Sequence, residues 1–185
     1  MLRVLQPLNI DTSTLAWKQA TKTKAIFARP VNTLVNDIHF FSKLNLITYE
    51  GSQAIKEGSI ICTGLSKTDP WQQSPKKLLD KYVVTDITPD GWLYCEPKPD
   101  NLVNFCQIDT TFFPPKWCDA TQSTYDADPY FQIYAKWGSE VFPDGVNKKY
   151  IQSGELNDYI CQSIVDPADV WIVKKKFFDA TYQPQ

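Results

Sequence analysis

Trp71-Gln72-Gln73-Ser74-Pro75-Lys76-Lys77-Leu78-Leu79-Asp80-Lys81-Tyr82 returns, in altered form, as Trp171-Ile172-Val173-Lys174-Lys175-Lys176-Phe177-Phe178-Asp179-Ala180-Thr181-Tyr182. Tryptophan, lysine, a large apolar residue and tyrosine recur at one spacing, 100 residues apart. In the first copy Ser74-Pro75 has the form of an N-cap followed by proline at the first helical position. Leu78, Leu79 and Tyr82 then share one face of about two helical turns. Phe178 and Tyr182 do the same in the second copy. The stretch therefore predicts a strand ending near each tryptophan and a short helix after it.

Upstream, Gly58-Ser59-Ile60-Ile61-Cys62-Thr63-Gly64 aligns with Asn157-Asp158-Tyr159-Ile160-Cys161-Gln162-Ser163, 99 residues apart. Both are short apolar runs suited to a central strand. Further back, Ile26-Phe27-Ala28-Arg29 aligns with Ile133-Tyr134-Ala135-Lys136, 107 apart, which leaves the first copy longer within 32–46. Alternation in both predicts a strand with one buried face. Thr88-Pro89-Asp90-Gly91 predicts a turn between strands at 82–87 and 92–95, and Phe142-Pro143-Asp144-Gly145 a similar one. A short helix is expected within 1–23, capped by Asp11 or Ser13. The predicted fold is α+β and mainly β: two tandem small antiparallel-sheet or barrel-like modules, each closed by a short helix. The expected divisions are an N-terminal arm (1–23), a first module (24–98), an aromatic, proline-rich connection (99–130) and a second module (131–185). The connection contains a strand-like Leu102-Val103-Asn104-Phe105-Cys106.

The 185 residues are 43% hydrophobic and 22% charged, ordinary for a folded chain. A net charge of −2 argues against strong sequence-independent nucleic-acid binding. No stretch approaches the roughly 18 apolar residues of a membrane helix, and the first residues lack a signal-peptide core. Five cysteines without CxxC spacing favour reduced thiols and a cytoplasmic setting.

Ile133-Tyr134-Ala135-Lys136-Trp137, Asn157 to Cys161, Trp171-Ile172-Val173 and Phe178-Asp179-Ala180-Thr181-Tyr182-Gln183-Pro184 resemble the small PGDYG-type domain of phage and bacterial proteins. The second copy follows that pattern more fully. It keeps Asp158 but has Asn157 for the glycine, whereas the first keeps Gly58 and has Ser59 for the acidic residue. The resemblance implies the architecture and a phage or prophage association, and no established activity.

No catalytic residues, metal ligands or cofactor are assigned. His39, the only histidine, has no helper group placed beside it, and Cys62 and Cys161 read as small core residues. Asp119, Asp126 and Asp128 lack the glycine and glutamate of a calcium loop. The lysines are different. Lys76 and Lys77, with Lys174, Lys175 and Lys176, lie near the start of each helix, where backbone N–H groups and cations together suit an anion. Arg29 and Lys136 also match across the copies. Trp71, Trp171, Tyr82 and Tyr182 read as core anchors. Phe112, Phe113, Trp117 and Tyr130, with the unrepeated Trp17, Trp92 and Trp137, are candidates for an aromatic interaction surface. The leading functional expectation is a phage- or prophage-type non-enzymatic binding or interaction protein with a protein partner. The alternative is a small nucleotide- or phosphate-binding module using the lysines and nearby aromatics. An enzyme ranks behind both.

Overall fold

The chain divides into a continuous unit, Thr21–Asn101, and a discontinuous one, Met1–Ala20 with Leu102–Gln185. The structure is a computed structural model and describes residues 7–31, 41–42, 45–48, 51–68, 70–114, 129–135 and 150–185. In chain order the first strands are β1 (Leu8–Asn9), β2 (Lys18–Lys22), β3 (Ile26–Pro30), β4 (Phe41–Ser42), β5 (Asn45–Thr48) and β6 (Gly51–Ala54). Next come β7 (Ile60–Thr63), β8 (Pro70–Gln73), helix α1 (Pro75–Lys81), β9 (Tyr82–Ile87) and β10 (Leu93–Pro97). The rest is β11 (Leu102–Gln107), β12 (Tyr130–Ala135), β13 (Tyr150–Glu155), β14 (Tyr159–Ser163), β15 (Val170–Val173), helix α2 (Lys175–Thr181) and β16 (Tyr182–Pro184). Among the described residues the fold is mainly β with two short α-helices, as the sequence predicts. No sheet among the described residues closes into a barrel.

In the continuous unit a five-stranded sheet has the order β8-β7-β3-β10-β9, beside a three-stranded meander β4-β5-β6. All four residues of β7 are buried, as befits a central strand covered on both faces. Alternation sorts the side chains. Ile26, Ala28, Ile60, Cys62 and Cys95 form one core with Leu78 of α1 and Tyr82. Ile61 and Trp92 form the other with Leu46. Ser74 caps α1 by accepting from the Lys77 N–H (3.2 Å), so the proline-and-serine start is obeyed. Burying Leu78 contributes about 1.5–3 kcal/mol. The turn after β9 closes with Gly91 at φ 85°.

In the discontinuous unit the five-stranded order is β15-β14-β11-β2-β16, and a second sheet runs β1-β12-β13. β1 is parallel to β12. Phe178 of α2 replaces Leu78 as the helix's core residue. Its ring stacks on Tyr159 (centroids 3.9 Å apart) and Tyr182 (4.8 Å). A third aromatic contact, to Phe105, has centroids 4.9 Å apart. Gly154 lies opposite Phe131 in the β12–β13 pair, and a Cβ there would come within 2.4 Å of the ring.

Three expectations change. The segment after Asp11 is not an α-helix: Asp11 caps a single 3-10 turn, Thr12–Thr14, and β2 follows. Pairing with other strands overrides helix propensity there. The stretch 99–130 is not merely a connection, since Val103–Gln107 pairs along β14 in the middle of a sheet. Finally, Ile133–Ala135 is not the positional partner of Ile26–Ala28. Ala28 faces Cys62, whereas Cys161 faces Phe105 of β11, and β12 belongs to the other sheet. Alternation identifies a half-buried strand without saying which sheet it joins.

Candidate functional site

Each short helix begins beside lysines, but the structure gives Lys76, Lys174 and Lys175 anionic partners. On α1, Lys76 Nζ lies 2.6 Å from Asp80, one turn further along. Lys76 is 84% exposed, so the pair contributes about 0.3–0.5 kcal/mol. On α2, Lys175 pairs with Asp179 in the same way. Lys174 Nζ lies 3.1 Å from both Glu155 and Asp158. Burial opposes the Lys174 charge, but hydrogen bonds to Asp158 and Glu155 outweigh it and hold its pKa above the ordinary lysine value. Lys176 lies over the ring of its neighbour Phe177, 4.9 Å from the centroid.

The N-terminus of α2 has no cap from its own N-cap residue, Lys174. Asp158 supplies it instead. One carboxylate oxygen accepts from the Lys175 N–H and the other from the Glu155 N–H, both at 2.9 Å. The helix start therefore already holds an anion, and it is the protein's own carboxylate. Sequence reasoning missed this role, because cap and helix are separated by two strands, β14 and β15. The acidic residue after Asn157 was the available signal. The turn that presents it also recurs: Gly58 (φ 72°) and Asn157 (φ 73°) both take the left-handed conformation that glycine and asparagine tolerate. In the continuous unit Ser59 takes the place of Asp158 and donates to the Lys56 carbonyl at 2.6 Å.

The other candidates are dispersed. The Arg29 guanidinium lies 6.0 Å from the Trp92 ring centroid. Trp92 is buried and Trp17 half-buried, so neither presents the exposed aromatic surface expected of it. Phe113 is also buried, in a core with Ile108 and Phe131, because alternate sides of a turn face different environments. Its neighbour Phe112 is partly exposed and Tyr130 half-buried. Lys136, Trp117, Trp137, His39, Asp119, Asp126, Asp128 and the 142–145 turn lie outside the described residues. Cys62 and Cys161 are fully buried. Burial pushes the Cys62 thiol from 9.0 up to about 12, which leaves no thiolate near neutrality. Among the described residues, no group of His, Cys, Asp and Glu is arranged to hold a metal, and no helix is long and apolar enough to cross a membrane.

What the continuous unit does expose is its last edge. β9 ends its sheet, and after Tyr82 all its residues are exposed. Val83, Val84 and Ile87 are 48%, 37% and 64% accessible, and Leu79 on α1 is 54%. The matching edge of the discontinuous unit, β16, has three residues and ends at Pro184. Proline is a common way of blunting an edge. No family model, curated protein or solved structure matches the chain.

Proposed function

We propose that the chain is a non-enzymatic interaction protein of phage or prophage type, acting in the cytoplasm and built from two copies of one β unit. Its contact surface is the β9 edge, and its partner is a protein that adds an extended strand there. The observation that carries this reading is the run of exposed residues along β9, with apolar Val83, Val84 and Ile87 accessible on a strand that has only β10 beside it among the described residues. Strand addition uses such an edge: main-chain hydrogen bonds give affinity and alternate side chains give selectivity. The likeness of 157–161 and 178–184 to the PGDYG-type pattern supports the phage association.

The phosphate-binding alternative is weakened by the carboxylates that already engage Lys76, Lys174 and Lys175. The test is a peptide-display selection on the immobilised full chain, followed by titration of the selected peptides. Extended apolar peptides are expected to bind, with at least a tenfold loss for Ile87→Lys. Equal binding to the wild type and Ile87→Lys sinks the β9 assignment. Stabilisation by nucleotides or phosphate in a thermal-shift panel, without peptide binding, transfers the function to the lysines.

A further inference from the structure

The fourth position of each five-stranded sheet has an unexpected source. In the continuous unit it is filled by β10, between β3 and β9. In the discontinuous unit it is filled by β2, between β11 and β16. These two strands match each other. Trp17 stands just before β2 and Trp92 just before β10, and Ala20 and Cys95, fully buried, follow at the same interval.

Their surroundings match as well. Ala20 shares a core with Val103, Phe105, Tyr159, Cys161 and Phe178. Cys95 shares one with Ile26, Ala28, Ile60, Cys62 and Leu78, the positional counterparts in the same order. Trp17 packs in a cluster with Ile108 and Ile160, and Trp92 in one with Ile61, beside Val31. The repeat is therefore longer than the Trp–Lys–Tyr signature indicates. One copy runs from Trp17 through β9, the other from Trp92 through β16.

Each copy begins with a strand that lies in the other copy's sheet. β2 is followed after 23–25 by β3, yet β3's sheet contains β10; β10 is followed after 98–101 by β11, yet β11's sheet contains β2. We propose that the chain is a strand-exchanged dimer fused into one polypeptide. The fourth slot of each sheet is a binding site for the first strand of a second copy of the repeat. This rests on the duplication proposed above, not on the β9 contact.

The chemistry of the slot is that of a central strand, with ladder hydrogen bonds on both sides and room for a small side chain at Ala20 or Cys95 against the helix-covered core. Links of three or four residues suffice for a hairpin, so the unexchanged arrangement was open to both copies. Exchanged and unexchanged forms differ only in whether 23–25 and 98–101 turn back or pass on, the usual hinge of a domain swap. A chain carrying one copy is expected to fill its slot from a second molecule.

Paired cysteine substitutions in the full chain test this. The Gln185 N–H donates to the Gln19 carbonyl at 3.0 Å, which fixes these exposed residues as neighbours in the exchanged form. In an unexchanged form Gln19 would take the place of Tyr94, opposite Asp86. Under oxidation, Gln19→Cys/Gln185→Cys is expected to lose two free thiols per chain and stay monomeric, with the 19–185 bond mapped by mass spectrometry. Gln19→Cys/Asp86→Cys is expected to keep its thiols. The reverse pattern overturns the proposal, and a 19–185 bond found only between chains overturns exchange within one polypeptide. Neither result bears on peptide binding at β9.

Discussion

The two units solve one packing problem with different chemistry. Both have a tryptophan on the edge strand, a cysteine on the next strand, and a helix residue with a tyrosine over them. In the continuous unit Leu78 supplies the helix contact and Ser74 caps the helix from the preceding residue. In the discontinuous unit a stacked aromatic, Phe178, supplies the contact, and a carboxylate from the β13–β14 turn supplies the cap. Its first turn carries three successive lysines, and a helix start made of cations needs a nearby anion. The continuous unit, capped by a neutral serine, holds its own helix with local residues. The same frame accepts a local or a long-range cap, provided the first N–H groups are satisfied.

The largest effect that would sharpen this contrast is Phe178→Ala. Loss of a buried, stacked ring is expected to cost about 3–5 kcal/mol. Hydrogen exchange should then increase in β11, β14, β15 and β16, while β3 and β7 keep their protection. Equal loss in both units would show that they unfold as one body and would break the comparison.

Alkaline pH offers a second handle. Burial raises the Cys62 thiol to about 12 and that of Cys95 to about 11, each from 9.0. The folded state therefore holds these protons to higher pH than the unfolded chain does. Their contribution is whole below pH 9.0 and falls as pH rises towards about 12. For fully buried Cys62 the loss is about 1.4 kcal/mol per pH unit. Urea titrations from pH 8 to 11 should show this slope, and Cys62→Ala should flatten it.

The capping contrast predicts a smaller difference. Asp158→Ala removes the acceptor for two N–H groups and is expected to cost about 1–3 kcal/mol. Asp158→Asn keeps acceptor oxygen and should cost less. Ser74→Ala should cost about 1 kcal/mol, as ordinary caps do. If Asp158→Ala proved no worse than Ser74→Ala, the long-range cap would contribute little. Chemical denaturation distinguishes these outcomes.

The turn positions form a finer pair. Gly58→Ala puts a side chain at φ 72°, for about 1–2 kcal/mol of destabilisation. Asn157→Gly, at φ 73°, should change stability by less than about 0.5 kcal/mol. Smallest of all is Lys76→Ala, expected to lose only about 0.3–0.5 kcal/mol because the pair with Asp80 is exposed. A larger loss would mean that Lys76 has a role beyond this pair.

Legibility followed distance along the chain. Helix α1 was readable because serine, proline and the 78/82 spacing lie within nine residues, and the hairpin at 88–91 because its turn residues are adjacent. β7 and β14 were readable because each opens with three consecutive apolar residues, Ile60–Cys62 and Tyr159–Cys161. The site was less so. The lysines were found from their matching positions, but their partners were not: Asp158 and Glu155 reach Lys174 only after β14 and β15 pair. Phe113 and Trp92, taken for surface, lie in cores that depend on other sheets.

By itself the amino-acid sequence determined the mainly β character, the two capped or lysine-led helices, the turn at 88–91, and the central buried strands. Each rests on neighbours within a few residues, through propensity, capping and alternation. Only the tertiary structure decided that β2 fills the slot matched by β10, that β11 rather than β12 stands beside β14, and that Asp158 closes α2. An alternating strand with a small central residue fits any slot of that shape. The choice among slots is made by pairing over long separations, where local pattern has no preference.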